Sequence, residues 1–449
     1  MNMKKSWFLL GLITLVSVFA FASGTQQGAG TAKEVELVTP TRIGNPDAKI
    51  TLEWWVQQEY CHRTQRADVA EVYNRIYTEW AKANPNVKIN VNIMPGNDEL
   101  KQKLQLAASQ GNAPDMAAVD SFWAPWFYSQ GYLYPLNEFL SKEDINDFFP
   151  FITSGVSDDK GNIYALWHGT DCRVLYYNTD FVKTPPKTWD EMLTMGSQIK
   201  KQYNIKPFVF NGGRWEGTTF DAYAYFWAQG GDLVDLASGR PVFNEGKNRD
   251  YMVNVIAYLR ELVASGVSPK AVATIMDYQE FEPYIQANDV AMIVGGNWQI
   301  NDIKRLLPKE KAAKWEVAPI PQKMAGTYAT GTGGWTWGIL TKDATKAKAA
   351  YSFFAKQMET QNMAALNKTI GNLPTRASVY ATVPYFSEDY YLKKFGEVLK
   401  HGRPRPGVPI YNTISEELQV VFNSALTSTE SAEMILDRAW KNVMIEYKK

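Results

Sequence analysis

Histidine and cysteine are scarce in this chain, at three and two in 449 residues. With histidine only at 62, 168 and 401, a His-centred triad is poorly supplied. No G-x-S-x-G elbow, H-E-x-x-H pair, P-loop or strand-linked G-x-G-x-x-G occurs, so the chemistries those motifs carry have no support. Cys61-His62 and His168 with Cys172 lack the close paired spacing of a metal site, and the two cysteines allow at most one disulfide. Neither a metal nor a cofactor is expected. An excess of one charge is missing too: 47 basic residues face 47 acidic ones. That balance, with no basic block, argues against nucleic acid or an anionic membrane surface as partner.

Long apolar runs are confined to the N-terminus, so the product is not expected to be membrane-embedded, which takes about 18 consecutive apolar residues. Lys4 and Lys5, the apolar stretch SWFLLGLITLVSVFAF and Ala20-Phe21-Ala22 read as a secretory signal over residues 1–22. No cysteine lies near the cleavage point, so no lipid anchor of the bacterial type is expected. Residues 23–48, rich in Gly, Thr, Gln and Pro, read as a flexible leader.

What the chain has in quantity is aromatic: 15 Trp, 24 Tyr and 21 Phe, 13% of all residues. From Lys49 the order is strand (Lys49 to Val56), helix (Val69 to Trp80), strand (Val87 to Ile93), helix (Asp98 to Gln110) and strand (Pro114 to Asp120). That alternation predicts an α/β layer with a parallel sheet. Thr188-Trp-Asp-Glu191 is a capping box, and Met252 to Val263 has the spacing of an amphipathic helix ended by Gly266. Val290 to Ile300 and Trp315 to Pro321 read as strands, Asn372 to Tyr380 as a turn, Asp389 to Lys400 as a helix, and His401 to Ser415 as an extended Pro-rich crossing before two terminal helices. Gly331 to Leu340, GTGGWTWGIL, reads as one strand with Trp335 and Trp337 on one face beside bare backbone, either a core wedge or a stacking platform.

Aromatic residues recur beside Gly or polar groups at strand ends: Trp54-Trp55, Trp123, Trp167-His168, Arg214-Trp215, Asn297-Trp298 and Trp335-x-Trp337. Open α/β sheets place ligands at strand C-termini. An indole covers the C–H face of a sugar ring while nearby Asp, Asn, Gln and Arg satisfy its hydroxyls, so the pattern suits an oligosaccharide or other polyol. Asp120, Asp171, Glu216 and Asp221 sit beside aromatics, so a secreted glycoside hydrolase with a carboxylate pair is the alternative reading.

The segments GNIYALW (161–167), LYYNTDF (175–181), KTWDEM (187–192), AMIVGGNW (291–298), WEVAPIP (315–321), GNLPTRASVY (371–380) and SEELQVVF (415–422) stand in a familiar order. Behind a signal peptide, the chain resembles the extracellular solute-binding proteins of ABC importers, family 1, the sugar-binding and maltose-binding-protein-like type. The resemblance implies the type II periplasmic binding fold: two α/β lobes, each discontinuous, joined by hinge strands around a ligand cleft. Lobe one is then 36–174 with 332–397, and lobe two 178–330 with 402–449. By the same likeness the partners are a carbohydrate and permease subunits, no bond is made or broken, the protein acts as a monomer, and the missing lipobox cysteine, a departure from many relatives, implies a free periplasmic protein. The expected cleft residues are Trp55, Asp120, Trp123 and His168 from lobe one, and Arg214, Trp215, Asn297, Trp298 and Arg403 from lobe two, with Trp335 at the hinge. Trp337, Tyr411, Trp227 and Trp54 are left to the core.

Overall fold

The computed structural model describes residues 35–95 and 97–448, so the signal segment and residues 23–34 of the leader lie outside it. The expected strand–helix–strand–helix–strand unit is present. Strands Ile50–Gln57, Val87–Met94 and Met116–Asp120 form its parallel centre, with helices Ala67–Ala83 and Asn97–Ser109 between them. The sheet then grows antiparallel on both sides to seven strands. Trp335–Ile339 and Ala165–Trp167 join beyond Met116–Asp120, and Arg42–Gly44 and Val38–Thr39 join beyond Val87–Met94. Residues 38–44 are therefore sheet edge rather than loose leader: Ile43 is buried opposite Ile89, and its burial fixes the hairpin.

Alternation along Ile50–Gln57 sends Leu52, Trp54 and Val56 inward. Trp54 meets Tyr77 of one helix and Phe353 and Phe354 of helix Ala344–Met358, ring centroids 5.2–6.2 Å apart. Trp337 joins that cluster, stacked on Phe354 at 5.2 Å. Helix Asn97–Ser109 packs on strands Ile50–Gln57 and Val87–Met94.

A second sheet has the order Trp315–Ala318, Arg173–Asn178, Val290–Gly296, Lys206–Val209, antiparallel except for its last pair. Helices Trp189–Tyr203, Glu216–Trp227, Gly246–Ala264, Tyr411–Thr427 and Ala432–Tyr447 accompany it. The cap is made by Thr188, whose Oγ1 accepts from Glu191 N at 3.2 Å, while the return bond of the expected capping box falls one residue early, Glu191 Oε2 accepting from Lys187 N at 2.6 Å. Asn372 to Tyr380 is not all turn, since Ala377–Thr382 is a short helix. The Pro-rich crossing is also shorter than expected, as helix starts at Tyr411. Cys61 and Cys172 are free, buried thiols. Among the described residues no helix is long and apolar enough to cross a membrane.

The stretch Gly331–Leu340 is not one strand. Thr330–Thr332 pairs in parallel with Gly402–Pro404, whereas Trp335–Ile339 lies in the seven-stranded sheet. The break falls at Gly333-Gly334. Gly334 has φ +146, and a Cβ there would meet the Gly169 carbonyl at 2.1 Å, so no larger residue fits the turn.

Candidate functional site

The ends of the two sheets meet in a seam of rings and charges. On the seven-stranded side, Asp120 closes its strand directly opposite Trp335. Trp123, just beyond, sets its ring edge-on to Trp335 at 5.2 Å, and Tyr60, in the turn after Ile50–Gln57, lies 5.7 Å from Trp335. Tyr60 also meets His168 at 5.5 Å.

On the other side Arg173 begins its strand, and its guanidinium is surrounded. Its Nε donates to Asp221 Oδ1 and to the Tyr278 hydroxyl, each at 2.9 Å. Its Nη1 lies 3.0 Å from Asp171 Oδ1, in ion-pair range but without a well-directed hydrogen bond. The rings of Phe220, Trp298 and Tyr278 cover it at 4.4, 4.9 and 5.2 Å.

Arg405 ties the two sides together. Its guanidinium sits 4.0 Å from the Phe122 ring and 4.3 Å from Phe220. Its Nη2 donates to Asp120 Oδ1 at 2.6 Å and its Nη1 to Glu216 Oε1 at 3.1 Å. Glu216 opens helix Glu216–Trp227 and also accepts from the Tyr411 hydroxyl at 2.7 Å and from Ser415 Oγ. Phe220 thus serves both arginines. The backbone makes room for this: a Cβ at Gly331 would stand 2.4 Å from Phe220, and one at Gly333 2.6 Å from Arg405 Nη2.

Burial dominates the electrostatics. It raises the Asp120 carboxyl to about 6; Arg405 pulls the value back down while Glu216 and Asp171 add to the rise. Burial also lowers His168 to about 3, so its imidazole is neutral at physiological pH. Both guanidiniums stay charged. Burial opposes their charge, but Asp171, Tyr278 and Asp221 around Arg173, and Asp120 and Glu216 around Arg405, outweigh it. Charges held this way, with aromatic faces in place of water, cost several kcal/mol each if a partner is removed.

The expected site residues divide. Asp120, Trp123, Trp335, Trp298 and Trp215 come together at the seam; Trp215 meets Tyr278 at 5.3 Å, and Tyr278 meets Trp298 at 5.2 Å. His168 reaches it only by its edge on Tyr60, because one face is stacked on Trp337 at 4.2 Å. Trp55 is half-buried on the face opposite Trp54, the face of Gln57, whose amide donates to Asn97 at 3.2 Å. Arg214 is exposed and turned to Asn423.

Two expectations are corrected. Asn297 is fully buried, and both ends of its amide are occupied: Oδ1 accepts from Cys172 N at 2.9 Å and Nδ2 donates to Gly371 O at 2.6 Å. It joins backbone to backbone and has no end left for a ligand. Arg403 lies over Trp227 and binds the Gly231 carbonyl and Asp232, outside the seam. The arginine that enters is Arg405, two residues on. Sequence reading also passed over Arg173, Tyr278, Phe220 and Tyr60, which carry no local motif. The signal within reach was the set Asp120, Asp171, Glu216 and Asp221: all four do converge, on two arginines that the chain supplies from far apart.

Residues 75–391 match the family described as bacterial extracellular solute-binding protein. A probable ABC transporter-binding protein of Deinococcus radiodurans is 26% identical over 78% of this chain and 84% of its own length. A maltotriose-binding protein of Pyrococcus abyssi is 23% identical over 81% of this chain and 76% of its own. Among solved structures, maltose-bound MalE3 of T. maritima superposes with a TM-score of 0.75 at 22% identity, over 88% of this chain and 99% of that one. A solute-binding protein of Thermotoga lettingae, bound with α-D-tagatose, gives 0.74 at 25% identity over 88% and 98%. These likenesses fix the fold as the two-lobed type II binding fold. With the family match running through both sheets and most of the seam, the chain belongs to the bacterial extracellular solute-binding proteins.

Proposed function

We propose that this chain is the periplasmic substrate-binding component of an ABC importer and that it takes a carbohydrate into the seam between its sheets. The observation that carries the reading is the seam itself. Indole and phenyl faces (Trp123, Trp335, Trp215, Trp298, Tyr60) surround carboxylates and guanidiniums at the ends of two sheets, which is how a polyol is held. Relatives named for maltotriose binding and neighbours solved with maltose and tagatose support it. Lobe one is taken as 36–174 with 332–397 and lobe two as 178–330 with 402–449. In this reading Arg405 comes from lobe two and Asp120 from lobe one, so their ion pair closes the cleft. Ligand touching both walls drives the hinge shut by its higher affinity for the closed form, the motion for which periplasmic binding proteins serve as the standard example, and a permease reads that form.

The protein is not an enzyme in this reading. Both oxygens of Glu216 and of Asp221 already accept hydrogen bonds from neighbours, so neither is poised for proton transfer to a ligand. Tryptophan-fluorescence titration with a panel of oligosaccharides, followed by analysis of the mixture, tests this. Quenching at micromolar ligand with the sugar recovered intact is expected. Shortened sugars would replace the importer reading with a glycoside hydrolase.

A further inference from the structure

The seam holds more acid than base. Asp120, Asp171, Glu216 and Asp221 stand against Arg173 and Arg405, and neutral His168 adds no charge. Asp98 lies near both Glu216 and Glu416, with Lys101 to offset them, its ammonium 3.2 Å from Glu416. Arg214, the other nearby cation, is exposed and turned away to Asn423. Burying uncompensated negative charge is costly, and a structure normally relieves it with a counter-charge.

The hydrogen-bond inventory shows where that counter-charge belongs. Asp221 and Glu216 are filled on both oxygens. Asp120 and Asp171 are engaged through Oδ1 only: Asp120 by Arg405, Ser121 and Phe122, Asp171 by Arg173 and the Gly333 amide. Among the described residues nothing donates to Oδ2 of either, and neither Oδ2 is an enclosed atom. The two carboxylates are close enough for Asp171 to act on Asp120, and both act on Tyr60, whose ring lies against Trp335. Two free carboxylate oxygens beside aromatic faces are the elements of a site for an organic cation. A second, independent sign points to a ligand. Arg405 Nε and Trp123 Nε1 are buried donors without acceptors, on residues 7% and 1% exposed. Hydroxyl oxygens supply acceptors; a bare metal ion does not.

Resting on the carbohydrate reading above, we propose that the ligand is a sugar carrying a basic nitrogen, that Asp120 and Asp171 receive its ammonium, and that uronic acids and sugar phosphates are rejected. An added carboxylate or phosphate enlarges the existing negative excess, whereas an ammonium on the same ring removes part of it and finds two oxygens already aimed by their arginine and backbone partners.

Calorimetric titration of the full chain at pH 7.5 tests this with glucosamine oligomers, neutral gluco-oligosaccharides of equal length, and oligogalacturonides. The amine-bearing member of a matched pair is expected to bind at least tenfold tighter, with affinity that falls as sodium chloride is raised. Asp171→Asn is expected to remove most of that advantage. If that variant does not fold, the salt series on the unaltered protein decides, because a neutral sugar has little salt dependence. A neutral sugar that equals or outbinds its amine counterpart, or a uronate that binds, overturns the proposal and leaves the carbohydrate reading standing. Absence of binding by every sugar overturns both.

Discussion

Around Trp54, rings meet only rings: Tyr77, Trp337, Phe353 and Phe354 approach edge-on at 5.2–6.2 Å, and among the described residues no guanidinium or ammonium lies over any of them. Phe220, packed along the Gly331 backbone, has no ring partner among the described residues and instead carries two guanidiniums, Arg405 and Arg173 at 4.3 and 4.4 Å. Both regions are buried and aromatic, yet they are held differently. The first is stabilised by area removed from water and by packing, which neither salt nor pH alters much. The second depends on charges that must find partners, so it responds to ions, protons and ligands. In the reading proposed above, the aromatic residues that face ligand are those accompanied by carboxylates.

Breaking the first region should have the larger effect on folding. Trp54→Ala removes the ring on which four others converge and should lower the unfolding free energy by about 3–5 kcal/mol, read by urea denaturation. Ligand affinity measured on the folded fraction should stay within a few fold. Breaking the second, Arg405→Met keeps bulk between Phe122 and Phe220 but strips Asp120 and Glu216 of their cation. A loss of about 3 kcal/mol is expected, part of it restored by adding Asp120→Asn. If Arg405→Met melts like the parent, the seam is not held by its charges and the two regions are stabilised alike.

Much of the first region was legible, because its signals are local. Period-two alternation at Leu52, Trp54 and Val56 and the i, i+3, i+4 run from Val69 to Trp80 each show which side faces inward without knowledge of the partner. The seam was legible only in its acids. Arg403 and Arg405 share a face by alternation, and what separates them is that Asp120, 285 residues away in sequence, stands before one and not the other. Asn297 follows a Gly pair and looked like a ligand contact; that both ends of its amide are claimed by backbone depends on Gly371 and Cys172, which no local pattern reports. GTGGWTWGIL kept its alternation across a change of sheet, since hydrophobic period is blind to where the hydrogen-bond partner lies.

A smaller effect sharpens the comparison from the ligand side. Trp298 covers Arg173 at 4.9 Å and remains partly exposed, unlike Trp337, which is 1% exposed. Trp298→Ala should weaken sugar binding by about 1–3 kcal/mol in the fluorescence titration and shift the melting temperature little. The opposite result, unchanged affinity with a lowered melting temperature, would return Trp298 to the core.

The smallest expected effect is on protons, and it has an unusual sign. Asp120 is faced by Arg405 from the C-terminal crossing, by Glu216 from helix Glu216–Trp227, and by Asp171 from the loop after Ala165–Trp167. Its carboxyl lies near 6, above the ordinary carboxylate value, so the folded chain holds this proton more tightly than the unfolded one. The stabilising contribution is then present at low pH and lost as pH rises through about 6. Between pH 7.5 and pH 5 it should add about 1 kcal/mol to the stability of the parent protein relative to Asp120→Asn. Urea unfolding of both proteins at the two pH values isolates the difference, since the other carboxylates titrate in both. A core substitution such as Trp54→Ala should leave that difference unchanged, because no proton is held there.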